Sequence, residues 1–199
     1  LLHLPRLLVA GLLLGAGCGP AWADCTPPPD GLVGWWRGEA NYLDSSGGAN
    51  GTPVGEVTFG PGRVDSAFLP DGNRDGVLVG NPASLQLQNL TLEMWIRRSS
   101  TSAVSQTAPN ALLFGYDSGG YSLGLWNDGT LLFGKSYVDN IYPPTRITDT
   151  NFHHVAVTKV GSTVVFYVDG TAYAMPAYSS TFTFSTQAAI GFLSADWNC

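Results

Sequence analysis

The chain has 199 residues, 44% of them hydrophobic and only 12% charged, with 25 Gly and 13 Pro, a balance that suits one globular all-β domain with many turns. Its formal net charge is −6, and Lys135 and Lys159 are the only lysines beside seven arginines. No basic surface serves nucleic acid or anionic lipid, which argues against a nucleic-acid partner.

The leading segment, "LLHLPRLLVAGLLLGAGCGPAWAD", joins Arg6 to an apolar run from Leu7 to Ala16 and a small-x-small "AWA" ending at Ala23. This pattern predicts a signal peptide over residues 1–23, cut before Asp24, and a secreted chain. The run is too short to span a bilayer. "GAGC", ending at Cys18, is loosely like a lipoprotein signal, which would give a lipid anchor instead. Removing the leader takes away Cys18 and leaves Cys25 and Cys199 at the two ends of the mature chain. An oxidising destination and the closeness of many chain ends make a Cys25–Cys199 disulfide a candidate. Two unpaired thiols, or partners lying beyond a truncated end, are the alternative.

Residues 24–30 form a stiff Pro-rich lead-in. From residue 31 onward, short β-type runs alternate with Gly, Asn, Asp and Ser clusters. In chain order the candidate strands are "LVGWW", "VLVG", "TLEMWIRR", "ALLFGY", "YSLGLW", "TLLFGK", "HHVAVTK", "TVVFYVD" and "AAIGF". No stretch keeps a helical period, so the expected fold is an antiparallel two-sheet β-sandwich or jelly roll.

Turn chemistry joins several of these runs. The Asn127-Asp128-Gly129 cluster between two alternating runs predicts a hairpin. Gly161-Ser162 and Asp169-Gly170 predict two more turns, making a three-strand meander that starts at the paired histidines. On a strand, successive side chains alternate faces, so Val155 and Val157 share one side while His154, Ala156 and Thr158 share the other. His153 and His154 then point in opposite directions and cannot ligate one metal together; each reads as scaffolding at a strand start.

The succession "GLVGWWRGEANYLDSSGGANGT", "FGPGRVDSAFLPDG", "LTLEMWIRR", "NFHHVAVTKVGSTVVFYVDG" and "AAIGF" resembles the laminin G-like, concanavalin A-like jelly-roll modules of secreted bacterial proteins, over residues 31–199. The resemblance implies two antiparallel sheets stacked face to face, with the "HHVAV…YVDG" pair as a core hairpin. It also implies a closing strand of the type "F-x-G-x-I-D-E-V", whereas this chain ends at "SADWNC". An edge left unpaired by a missing last strand, and a piece of a larger multidomain protein, are the expectations that follow.

Two candidate sites emerge. In "GEANYLDSSGGANGT", Glu39, Asp44 and Asn50 place hard oxygen ligands in a Gly-rich loop, as a structural calcium requires; the resemblance adds Asp71 of "FLPDG". Arg74 stands where the family usually has another acid, and Asx-turn hydrogen bonding is the alternative role. Solvated aromatics form the other candidate, since flat sugar faces stack on rings. Trp36, Trp95, Trp126, Tyr116, Tyr121 and Tyr137 are the candidate ligand-binding residues, with Trp35, Phe133 and Tyr142 also considered; core packing is the competing role for all of them. Trp35 and Trp36 face opposite ways, so one should be buried and the other exposed.

Catalysis is not expected. Glu93 shares a strand face with Trp95 and Arg97 but lacks the nearby second carboxylate that a glycosidase uses, and no nucleophile elbow, zinc pair or phosphate loop is present. The expected function is a secreted, non-catalytic, lectin-like module recognising glycans or other extracellular polymers. The alternative is a structural or adhesive spacer with extracellular protein partners, and the third reading a divergent glycan hydrolase or lyase.

Overall fold

The structure, a computed structural model, describes residues 28–191; the leader, Cys25 and Cys199 lie outside the described residues. The strands are β1 (Thr52–Val54), β2 (Thr58–Pro61), β3 (Ser66–Leu69), β4 (Gly76–Gly80), β5 (Leu90–Arg97), β6 (Asn110–Tyr116), β7 (Tyr121–Trp126), β8 (Leu131–Lys135), β9 (Asp139–Ile141), β10 (Phe152–Val160), β11 (Thr163–Val168), β12 (Thr171–Ala174) and β13 (Ala188–Ile190). A seven-stranded sheet runs β1-β4-β13-β6-β7-β8-β9, a four-stranded sheet runs β12-β11-β10-β5, and β2 and β3 form a separate hairpin. All pairings are antiparallel. Among the described residues no helix is long and apolar enough to cross a membrane.

Period-two alternation builds the sandwich. In β10, Val155 and Val157 are buried and lie opposite Met94 and Leu92 of β5, while His154 lies opposite Trp95 on the outer face. The inner faces meet through rings: Phe133 of β8 lies edge-on to Phe166 of β11 at 6.5 Å, and Phe182, from the segment after β12, packs on Phe133 at 6.1 Å. Leu123, Phe133, Val157, Val164 and Phe166 are wholly excluded from solvent. Non-directional apolar burial of this kind, at about 25 cal/mol per Å² removed from water, is the main force holding the layers together.

The predicted hairpins form where turn chemistry placed them. β7 and β8 join through Asn127–Gly129, β10 and β11 through Gly161-Ser162, and β11 and β12 through Asp169-Gly170. One predicted strand is corrected. "LVGWW" makes only an isolated bridge, Trp36 to Asp44. The Trp35 N–H donates to the Asp44 carboxylate at 2.7 Å and the Trp35 carbonyl accepts from Ser45, so a local loop satisfies backbone groups that a ladder would otherwise take. Strands β1, β2, β3 and β9, of three or four residues, are too short to carry a readable period.

Candidate functional site

The outer face of the seven-stranded sheet is floored by small residues and walled by aromatic ones. Register puts Ser122, Gly134 and Asn140 in one row across β7, β8 and β9, and Gly124 between Leu112 and Leu132 in the next. Trp126 follows beside Asn110. A Cβ at Gly134 would come within 2.1 Å of the Asp139 carbonyl oxygen, so neighbouring backbone already fills the space a side chain would need. The result is a shallow trough: an amphipathic floor, amide and hydroxyl groups within reach, Tyr137 beyond one end and Trp126 at the other.

At the Trp126 end the trough opens into a hollow of about 370 Å³ lined by Pro109, Trp126, Asn127, Asp128, Thr130 and Tyr142. The Trp126–Thr130 turn forming its wall is braced on several sides. Trp126 N–H donates to the Thr130 carbonyl and Gly129 N–H to the Trp126 carbonyl, both at 2.9 Å. Asn127 N–H donates to the Pro109 carbonyl, and the Asn127 side-chain oxygen accepts from Val104 N–H. Ile147 N–H donates to the Gly129 carbonyl, and Thr130 bridges to Arg146.

Asp128 and Arg146 face each other on the rim at 3.3 Å, both well exposed. The hydrogen bonds from Thr130, assisted by Arg146, hold the Asp128 carboxyl below its ordinary value, so it is an anionic acceptor at neutral pH. The hollow thus holds ring faces and an anionic acceptor, with the Arg146 donor beside that acceptor, a combination of apolar area and a few polar groups that suits a small polar ligand.

The six aromatic candidates divide by environment. Tyr116 and Tyr121 are core residues at 0% and 1% exposure, which corrects their assignment as ligand-binding. Both point inward between the sheets; burial raises the Tyr116 hydroxyl to about 12, and Tyr121 donates to the Leu85 carbonyl. Trp36 is corrected as well, since it stacks on Phe114 at 5.5 Å and donates to the Ala49 carbonyl at 2.7 Å. Its neighbour Trp35 is the exposed member of the pair, with Arg37 5.3 Å from its ring. Phe133 is core. Trp95 is exposed, but on the outer face of the four-stranded sheet, with Arg63 5.1 Å over its ring and His154 edge-on. Trp126 and Tyr137 lie along the trough, joined there by Tyr142.

The four calcium candidates do not fit a cation. The two Asp44 oxygens accept from Trp35, Ser46, Gly48 and Ala49 N–H groups and from the Ser46 hydroxyl, at 2.7 to 3.0 Å. Burial works to raise the Asp44 carboxyl, but these hydrogen bonds outweigh it and hold the value below normal. The Asn50 side-chain oxygen accepts from Asp44 N–H, Glu39 accepts from Ser66 N–H, and Asp71 accepts from Asn73 N–H. Asp44 and Asp71 serve their own turns, as the Asx alternative requires, while Glu39 reaches a backbone N–H 27 residues away; among the described residues no group of three or more His, Cys, Asp or Glu gathers as metal ligands would.

His153 and His154 diverge as alternation demands. His153 contacts Asp169 at 2.7 Å and Asp149 at 3.0 Å, while His154 lies 4.0 Å from Glu93. Sequence reasoning missed Arg98, Arg146 and the place of Asp128 beside the hollow. The last was legible only as turn chemistry, and nothing local marked the arginines.

Residues 71–198 match a family model described as the Concanavalin A-like lectin/glucanases superfamily. Among solved structures, domain 4 of AbnA, a GH43 extracellular arabinanase from Geobacillus stearothermophilus in complex with arabinotriose, is similar with TM-score 0.63 and 16% identity, covering 80% of this chain and 82% of that one. The binding domain of botulinum neurotoxin DC in complex with SialylT is similar with TM-score 0.52 and 17% identity, covering 74% of this chain and 39% of that one. At these identities the likeness shows the fold. Among curated proteins no sequence matches this chain.

Proposed function

Because the chain belongs to the laminin G-like family of the concanavalin A-like lectin/glucanases superfamily, we propose that it is a secreted, non-catalytic, lectin-like module that binds carbohydrate on the outer trough of its seven-stranded sheet. The observation that carries this reading is the trough itself, where Trp126 and Tyr142 border one hollow with Asp128, and Asn110, Ser122 and Asn140 line the floor beyond. Rings supply stacking area and the amides and hydroxyls supply orientation. The complex of the arabinanase domain with arabinotriose supports it from the side of fold.

Absence of catalysis rests on the donor set. Hydrolysis needs two carboxylates flanking the scissile bond, and of the residues lining the trough only Asp128 is one. Glu93 lies on the other sheet, opposite Ala156 in register. The module acts by affinity, tethering a larger assembly to an extracellular polymer.

A glycan array spanning plant, algal and host polysaccharides tests the reading. The unaltered protein should bind at least one class in a dose-dependent manner, and Trp126→Ala should weaken that binding by about five- to tenfold, the equivalent of losing one good stacking contact of about 1–1.5 kcal/mol. Silence across the array would instead favour a spacer that engages protein partners. One observation favours that second reading, the exposed Trp95 with exposed Val64 beside Arg63.

A further inference from the structure

Arg98 directly follows β5 and is buried, yet it takes no part in the sandwich core. Its guanidinium donates to the carbonyl of Ile147 at 2.7 Å and to the carbonyl of Asn127. Those two residues immediately adjoin Arg146 and Asp128, the charged couple on the rim of the Trp126 hollow. A buried cation neutralised by carbonyl dipoles is costly to maintain, and here it ties together the two loops that carry the couple. Because the guanidinium is planar with fixed donor directions, it sets the separation of those loops in a way a flexible ammonium cannot.

The couple has a definite chemistry. Asp128 accepts and Arg146 donates within 3.3 Å of each other, which matches two adjacent hydroxyls on one sugar ring, the first donating to the carboxylate and the second accepting from the guanidinium. Arg146 is already neutralised by Asp128, and none of the lining residues of hollow or trough is a lysine or arginine. A uronic or sialic carboxylate would have to compete with Asp128 for Arg146, the one cation the site offers, and would meet the Asp128 carboxylate beside it.

Resting on the carbohydrate-binding reading, we propose that the hollow selects uncharged sugar rings bearing a free vicinal hydroxyl pair through Asp128 and Arg146, with Arg98 as the positioning residue that sets their spacing.

Titration calorimetry of the full chain against a neutral panel (arabino-, xylo- and cello-oligosaccharides) and an acidic panel (oligogalacturonate, oligoalginate, sialyllactose) tests this. The unaltered protein should prefer the neutral panel. Asp128→Asn should lose about tenfold or more in neutral affinity, the scale of one charge-assisted hydrogen bond, and should narrow the neutral-to-acidic ratio. Arg98→Lys should reproduce the loss, and in the Asp128→Asn background it should add little, since a residue acting through the couple is non-additive with it. A merely structural Arg98 would lower affinity equally in both backgrounds, which would overturn its assigned role. Should Arg98→Lys fail to fold, Arg98→Gln, which keeps amide donors toward the same two carbonyls, repeats the test in both backgrounds. An unchanged ratio in Asp128→Asn, with Trp126→Ala still abolishing binding, overturns the selectivity and leaves the site reading intact. Binding to neither panel overturns both.

Discussion

His153 stands at the start of β10 with both ring nitrogens against carboxylates, Asp169 from the β11–β12 turn and Asp149 from the preceding loop. The Asp169 bond, with Asp149 adding to it, raises the imidazole above its ordinary 6.5 against the opposing effect of burial. A raised folded-state value stabilises the fold fully below the unfolded value and ceases to as pH rises through the folded one. The melting temperature should therefore fall as pH climbs from about 6.5, and His153→Gln should remove that part of the slope, as scanning calorimetry over a pH series would show. A slope unchanged in His153→Gln would sink the assignment. The opposed directions of the two histidines were legible from alternation, but not their partners: Asp169 lies 16 residues away and meets His153 only when β11 folds back.

The β7–β8 connection shows how an element becomes a site. Asn127-Asp128-Gly129 reads as a hairpin turn from local chemistry alone, because Gly129 takes φ +85 at little cost to a residue without Cβ. Tertiary contact adds a second demand, since a Cβ there would lie 2.0 Å from the Ile147 carbonyl oxygen. Gly129→Ala should thus cost about 2 kcal/mol or more through strain and displacement of the 146–147 loop, measurable by urea titration, and should weaken glycan binding alongside. A neutral result would mean that the turn is not clamped from that side. The same logic explains why "LVGWW", a good strand by composition, stays outside the sheets: the Asp44 loop satisfies backbone groups that a ladder would use.

Across the whole molecule, stability depends on two sheets sharing one interior. Phe166 is wholly buried and touches Phe133 from the opposing layer, so Phe166→Ala should cost about 3–5 kcal/mol, a large part of the 5–15 typical of a domain. Far-ultraviolet circular dichroism and tryptophan fluorescence should lose signal in one coincident transition; separate transitions would show that the sheets unfold independently. The open edge that β5 presents among the described residues is a place where this fold would associate when destabilised.

From its sequence alone, this protein is determined as an all-β sandwich of laminin G-like pattern, with its hairpin turns and the inward and outward faces of its long strands. Those features arise from period-two alternation and from which residues tolerate a turn, interactions spanning a few neighbours. Only the tertiary structure decided which aromatics are core and which are surface, burying Tyr116 and Tyr121 while leaving Trp126 and Tyr142 to line a hollow. It alone also brought Arg98 to Asn127 and Ile147, 29 and 49 residues along the chain. The physical reason is that such meetings depend on strand order and sheet register, which the summed packing of both layers settles and no short window of residues encodes.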